Sequence, residues 1–65
     1  MTNGKKYQPI YDSIMGVFCW FRIGDQETTM WDTGQDAVDL HNQCKTASSD
    51  EIDEWAEDEF LRQGI

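Results

Sequence analysis

The side chains best suited to bind a metal or to act as a nucleophile are those of Cys19, His41 and Cys44. Zinc prefers thiolate and imidazole ligands, and a structural zinc site closes with four of them. The chain has no Cys-x-x-Cys pair, so a carboxylate would have to supply the fourth ligand. We therefore favour core packing for these residues, and we expect no metal and no cofactor.

The same residues do not indicate an enzyme. A nucleophilic cysteine needs an oxyanion hole and a cleft for its substrate, and the spacing of His41 and Cys44 indicates neither. The acidic segment later in the chain lacks the alternating oxygen ligands and the central glycine of a calcium loop. We expect a protein without catalytic activity.

A run of carboxylates is the more informative chemistry. The segment SSDEIDEWAEDEF, residues 48–60, holds seven acidic side chains in ten consecutive positions. In a helix, pairs such as Asp50 and Glu54 would stand side by side, and each like-charge pair costs about 0.2–0.5 kcal/mol. A face that served solubility alone would mix Glu with Lys, whereas no lysine follows Lys45. The acidic segment therefore favours a surface that binds a basic partner. The alternative is a solvated face that only promotes solubility.

A C-terminal helix would position these carboxylates. Ser48 and Glu51 form a capping-box pattern, which predicts a helix from Ser49 to about Gln63, ended by Gly64. The predicted core-facing side chains are Ile52, Trp55, Ala56 and Phe60. The predicted outer face carries Asp50, Glu51, Asp53, Glu54, Glu57 and Asp58, while Glu59 falls at the rim near Arg62.

An earlier helix would extend the acidic surface. Asp32 or Thr33 is suited to cap a helix that runs to about Lys45. Its predicted core stripe is Ala37, Leu40, His41 and Cys44, with Val38 at the border. Asp36 and Asp39 fall on its outer side and would add to the negative field.

A β-hairpin is predicted before the helices. VFCWFRI is β-branched and aromatic, Gly24-Asp25 is a turn signal, and QETTMW follows. A two-residue loop gives the cross-strand pairs Arg22–Glu27, Phe21–Thr28, Cys19–Met30 and Phe18–Trp31. One face then carries Val17, Cys19, Phe21, Ile23 and Met30, and the other carries Phe18, Trp20 and Trp31. Because both faces hold apolar groups, helices or a partner must cover both.

The predicted architecture is a single α+β domain over residues 1–65, with residues 1–6 as a loose tail. It consists of a small antiparallel β-hairpin or three-stranded sheet, followed by two packed helices. Residues 7–15 remain open between two interpretations. Pro9 and Gly16 would bracket a short helix, whereas Tyr7 to Tyr11 would suit an edge strand before an Asp12-Ser13 turn.

Charge and cysteine content narrow the function. Thirteen acidic and five basic residues give a net charge of −8, which excludes a conventional nucleic-acid binder and disfavours anionic membranes. The longest apolar stretch, Val17 to Phe21, is too short to span a bilayer. Two cysteines are too few for a disulfide scaffold and fit a reducing cytoplasm, although a Cys19–Cys44 bridge is geometrically possible.

In its size, its pI of about 4.2 and its run DEIDEWAEDE, the chain resembles the small acidic inhibitors encoded by bacteriophages, the anti-CRISPR and anti-restriction DNA mimics. In a helix, the run presents roughly one negative charge per 2 Å, close to the one per about 1.7 Å of duplex DNA. The resemblance implies that carboxylates occupy the DNA-binding surface of a host defence complex. Those inhibitors share no sequence signature, so the resemblance extends only to the acidic face.

We therefore expect an inhibitor, monomeric or homodimeric, that binds the basic surface of a DNA- or RNA-binding protein or CRISPR effector complex and does not contact nucleic acid itself. The predicted partner-binding residues are Asp36, Asp39, Asp50, Glu51, Asp53, Glu54, Glu57 and Asp58. The alternative is a protein-interaction or regulatory module that binds through the aromatic hairpin face, where Trp20 and Trp31 would be exposed. A halophilic adaptation would spread its acids over the whole surface, and the clustering argues against it.

Overall fold

The computed structural model of the protein describes residues 5–64. Over this range the elements in order are β1 (Tyr7–Asp12), β2 (Val17–Arg22), β3 (Glu27–Thr28), β4 (Asp32–Thr33), α1 (Gly34–Thr46) and α2 (Ser49–Gln63). β2 is the central strand and pairs antiparallel with β1 on one side and with β3 and β4 on the other. The predicted α+β fold, an antiparallel sheet followed by two helices, is confirmed.

The segment that the sequence left open is an edge strand. β1 pairs with β2 from Tyr7 opposite Arg22 to Asp12 opposite Val17. Pro9 lies opposite Trp20, whose backbone N–H and C=O both bond to Thr29 on the other side of β2. This is a non-hydrogen-bonded pair, so Pro9 also directs its backbone outward. Its missing N–H therefore costs the sheet no hydrogen bond.

The turn between β2 and β3 differs from the predicted one. The pairs Arg22–Glu27 and Phe21–Thr28 are confirmed, but the loop spans four residues, 23–26, and not two. The N–H of Gln26 bonds to the carbonyl of Arg22 at 2.8 Å, and Gln26 adopts a φ of 60°. Within the loop, the carboxylate of Asp25 holds the Arg22 guanidinium at 2.7 Å. The guanidinium of Arg22, predicted to lie opposite Glu27, thus stabilises the longer loop by pairing with Asp25.

Beyond this turn the predicted pairing is wrong by one residue. Phe18 lies opposite Asp32 and not Trp31, and the predicted Cys19–Met30 pair is absent from the described sheet. Thr29 is the reason, because its buried side-chain Oγ1 accepts the N–H of Trp20 at 2.9 Å in place of a backbone carbonyl. The chain fits one extra residue before β4, as in a β-bulge.

The core lies between α1, α2 and one face of the sheet. Its buried members are Tyr7, Phe18, Trp20, Ala37, Ile52, Ala56 and Phe60. The predicted core stripes of both helices are confirmed, with Leu40, Cys44 and Trp55 partly buried against this cluster. Trp20 is only 2% exposed, so the aromatic face of the alternative function lacks this tryptophan and retains Trp31, which is 52% exposed.

Candidate functional site

Local signals place the acidic helix α2. Ser48 Oγ accepts the N–H of Glu51 at 3.3 Å, and the Glu51 carboxylate accepts the N–H of Ser48 at 3.1 Å. At the other end, Gly64 adopts a left-handed φ of 72° and donates its N–H to Phe60 and Leu61. The helix therefore begins and ends where the sequence predicts. Its buried stripe fixes which carboxylates face outward.

The outer face of α2, defined here as Asp50, Glu54, Glu57 and Asp58, is exposed to solvent. Within residues 5–64, the first three of these carboxylates form no salt bridge. Asp58 lies 3.3 Å from the Arg62 guanidinium, and both side chains are about two-thirds exposed. Such a surface pair contributes at most about 1 kcal/mol. The face therefore keeps most of its negative charge uncompensated.

Two of the predicted partner-binding residues form hydrogen bonds within the fold. Glu51 belongs to the capping box. Asp53 is half-buried at the border of α2, and its Oδ1 accepts the N–H groups of Tyr7 at 3.1 Å and Lys6 at 3.3 Å. Its predicted place on the outer face is therefore wrong. The carboxylate holds α2 against the start of β1.

The same contact limits the predicted N-terminal tail. The Lys6 N–H is bound by Asp53, and its carbonyl accepts the N–H of Ile23 at 3.1 Å. Lys6 is therefore part of the folded sheet edge. Residues 1–4 of the predicted tail lie outside the described residues.

At the end of α2, Glu59 forms a link to the sheet. Its side chain is 21% exposed and bonds to Arg62, as predicted for a residue at the rim. Its second oxygen accepts the side-chain N–H of Gln63 at 2.7 Å, and Gln63 in turn accepts the backbone N–H of Met30 at 2.8 Å. No sequence pattern indicates the role of Gln63, because its partner Met30 is remote in the chain.

The two acidic residues of α1 lie on its exposed side. Asp36 is in the first turn, and Asp39 accepts a hydrogen bond from Gln35 at 2.9 Å. Because they lie on α1, they are not part of the outer face of α2.

Asp32 on β4 is influenced by charges on both helices. Burial raises the pKa of its carboxyl, and the negative charges of Glu59 on α2 and Asp36 on α1 raise it further, against the opposing effect of Arg62. Asp32 is therefore close enough to both helices to feel their charge. The charges of Glu59 and Asp36 therefore both act on Asp32, and Arg62 partly offsets them.

Most of the basic side chains gather elsewhere. Lys5, Lys6 and Arg22 line one open cavity of about 390 Å³ together with Tyr7 and the turn after β2. The Arg22 guanidinium lies 4.5 Å above the Phe60 ring and is paired with Asp25. These cations are thus drawn to the sheet edge and leave the outer face of α2 negative.

The cysteines and the histidine behave as packing residues. Cys19 and Cys44 are free thiols, and burial raises the pKa of both, which keeps them protonated and poorly nucleophilic. The ring of His41 stacks on Tyr11 at 4.2 Å. Across residues 5–64, no cluster of three metal-ligating side chains is found. No helix in that range has the length and apolarity needed to cross a membrane.

Comparison with known proteins gives no relative from which a function could be transferred. No protein-family model matches the chain, and neither a curated protein nor a solved structure is significantly similar to it. The basis for a function is therefore the structure: an α+β fold whose second helix presents uncompensated carboxylates.

Proposed function

We propose that the protein is an inhibitor that binds the basic surface of a nucleic-acid-binding protein, such as a CRISPR effector or nuclease of a host defence system, in the host cytoplasm. It blocks DNA binding by occupying the phosphate site. The observation that supports this proposal is the outer face of α2, where Asp50, Glu54 and Glu57 are exposed and form no salt bridge within residues 5–64.

The mechanism is competitive. Lysine and arginine side chains that hold phosphates would pair with the outer-face carboxylates and release bound counterions. The net charge of −8 would attract a basic target and speed encounter, and the outer-face carboxylates would then bind it. Affinity should therefore fall as the salt concentration rises.

The energetic cost of the acidic face supports a binding role. Like charges at Asp50/Glu54, Glu54/Asp58 and Glu54/Glu57 each destabilise the helix by about 0.2–0.5 kcal/mol. A domain this small has only about 3–5 kcal/mol of stability from its core. Lysines at some of these positions would stabilise the helix and keep the protein soluble. An interaction with a basic partner gives a reason for their absence.

Reversal of this charge tests the proposal. The variant Glu54→Lys, Glu57→Lys and Asp58→Lys should fold, because all three side chains are exposed. In affinity capture from a bacterial lysate at low salt, the unmodified protein should retain nucleases or CRISPR effector subunits that elute in a salt gradient. The variant should retain none of them.

A matched control distinguishes the effect of the outer-face carboxylates from the effect of the protein's net charge. Glu27, Asp36 and Asp39 are also exposed but lie outside α2, and their reversal to Lys changes the net charge by the same amount. This control should keep a substantial part of the binding. Equal loss in both triple variants would contradict a specific role for the outer face, and unchanged binding in the α2 variant would contradict the proposal itself.

The alternative function is a protein-interaction module that binds through the sheet. Trp31 supports it, since this side chain is 52% exposed beside the bulge. Under this alternative, the charge-reversed α2 variant keeps its partner, and Trp31→Ser loses it. The same capture experiment thus distinguishes the two.

A further inference from the structure

Three of the chain's five basic residues lie around one cavity, although the chain carries thirteen acidic residues. The cavity is open, has a volume of about 390 Å³ and lies between the start of β1 and the turn after β2. That volume falls within the range of about 300–1,000 Å³ that is typical of small-molecule sites. We call it the basic cavity, and its lining residues are Lys5, Lys6, Tyr7, Arg22, Ile23 and Gly24.

The two lysines supply the positive charge of the basic cavity. Within residues 5–64, neither ammonium group forms a salt bridge, and both side chains are exposed. The backbone that carries them is fixed, because the Asp53 carboxylate accepts the N–H of Lys6 at 3.3 Å and the Lys6 carbonyl accepts the N–H of Ile23 at 3.1 Å. The fold therefore positions two cations at the rim of the cavity.

Arg22 is the half-buried cation of the cavity. Its guanidinium lies 4.5 Å above the Phe60 ring, and it donates from Nε and Nη2 to the Asp25 carboxylate at 2.9 and 2.7 Å. The hydrogen bond to Asp25 and, to a smaller extent, the nearby Tyr7 hydroxyl raise the pKa of Arg22. Because Asp25 neutralises this guanidinium, the charge left for a ligand is that of the two lysines.

The turn after β2 adds a backbone donor to the cavity. Among residues 5–64, no acceptor is found for the N–H of Gly24, and the space beside its Cα is open. Backbone N–H groups in turns are frequent partners of bound anions. An anion in the cavity therefore has a neutral donor available in addition to the lysines.

Apolar surface lies next to these donors. Ile23 is 40% exposed at the cavity. Tyr7 is 7% exposed, lines the cavity from the core side and packs on Phe60 with 5.5 Å between the ring centroids. A ligand with a charged group at the lysines and an apolar group against Ile23 would use both kinds of surface.

We propose that the basic cavity binds the phosphate group of a small phosphomonoester that carries an apolar body. A phosphomonoester has a charge of about −1.5 to −2 at neutral pH, which matches the two lysines, whereas a carboxylate would compensate only one of them. Lysine ammonium groups bind phosphate as point charges and need no planar partner. This inference does not depend on the proposed function.

The ligand is a small molecule and not a nucleic-acid strand. Asp53 bonds to the backbone of Lys6, and Asp25 bonds to Arg22, so carboxylates adjoin the cavity on two sides. A single phosphate group needs only the cavity, whereas the consecutive phosphates of a strand would pass these carboxylates. The net charge of −8 also repels a polyanion more strongly than it repels one phosphate.

Titration of the isotope-labelled protein, followed by NMR, tests the proposal with phenyl phosphate as the probe. The backbone amide shifts of Lys6, Ile23 and Gly24 should change and saturate together, with a Kd on the order of 1 mM. Inorganic phosphate should bind at the same amides at least about threefold more weakly, because it makes no apolar contact with Ile23. Benzoate should bind at least about fivefold more weakly, because it compensates only one lysine.

A pair of double variants distinguishes the cavity from the net charge. Lys5→Gln with Lys6→Gln should weaken binding of phenyl phosphate at least about tenfold, and the fold should survive because the bonds of Lys6 are made by its backbone. Lys45→Gln with Arg62→Gln removes two exposed cations outside the cavity and changes the net charge equally. This control should bind within about twofold of the unmodified protein.

Several results would overturn the proposal. These are the absence of saturable shifts at the three amides up to about 20 mM phenyl phosphate, equal losses in the two double variants, or benzoate binding as tightly as phenyl phosphate. Inorganic phosphate binding as tightly as phenyl phosphate would contradict the apolar contact with Ile23. An oligonucleotide that saturated the same amides at lower concentration than phenyl phosphate would contradict a small ligand. The amide spectrum of each variant shows whether its fold is intact.

Discussion

The outer face of α2 and the end of the sheet around Trp31 both expose side chains that the fold leaves without a partner, but of opposite kinds. The helix face is charged, with Arg62 close to Asp58, whereas Met15 and Trp31 at the end of the sheet are apolar and more than half exposed. The first surface should bind more weakly in high salt, and the second should not. Two surfaces with opposite salt responses can serve two partners without competition.

Both surfaces depend on one core, so the largest effect is expected there. Trp20→Ala should destabilise the protein by about 3–5 kcal/mol, because it empties a site in the core cluster that is only 2% exposed. Trp31→Ala should cost less than about 1 kcal/mol, since that side chain is half exposed. Urea unfolding monitored by circular dichroism measures both.

This pair of tryptophan variants provides its own control. If Trp31→Ala were as destabilising as Trp20→Ala at low protein concentration, Trp31 would be a core residue. The end of the sheet around Trp31 could not then be open to a partner.

A smaller effect is expected at the contact that joins the acidic helix to the sheet. Asp53→Ala should destabilise the fold by about 1–3 kcal/mol, because the N–H groups of Tyr7 and Lys6 lose their acceptor. Asp50→Ala removes a carboxylate with no such bond among the described residues and should cost less than about 1 kcal/mol. Equal costs would mean that Asp53 acts only as surface charge.

A gain in stability, and not a loss, is expected for a substitution on the outer face of α2. Glu57→Lys should stabilise the fold by roughly 0.5–1 kcal/mol, because it replaces repulsion from Asp53 and Glu54 by attraction. The same change should weaken binding to a basic target. A thermal melt at low salt detects the gain in stability. A variant that loses both stability and binding would contradict the claim that the outer-face carboxylates repel one another and are retained for binding.

The smallest effect is a pH dependence at Asp32. Its pKa is raised in the folded state, so the charged form destabilises the fold as pH rises through the range between the unfolded and folded pKa values. Asp32→Asn should therefore raise the melting temperature at neutral pH, and the gain should vanish below the ordinary carboxyl pKa. A gain that persisted in acid would point to packing and not to charge.

How well the sequence predicted each region follows from the range of the interactions. The bounds of α2 were predictable because Ser48, Glu51 and Gly64 act within one turn of the helix ends. The bulge before β4 was not, because it depends on a Thr29 hydroxyl that replaces a backbone acceptor across the sheet. Pattern rules for hairpins assume that backbone groups fill the ladder.

The candidate site shows the same division. Exposure of Glu54 and Glu57 follows from helical periodicity alone, and the sequence predicted it. The role of Asp53 does not, because its partners are the N–H groups of Lys6 and Tyr7, more than forty positions away in the chain. Helical periodicity predicts on which side of the helix a residue lies. It does not predict which distant groups the fold places next to that residue.

Competition with DNA tests the central claim most directly. A target retained by the protein would be loaded with labelled duplex DNA and titrated with the protein while fluorescence anisotropy is followed. The account predicts full displacement of the DNA by the unmodified protein, weaker displacement at higher salt, and none by the variant with lysine at positions 54, 57 and 58. A ternary complex in which target, DNA and protein remain together would contradict it.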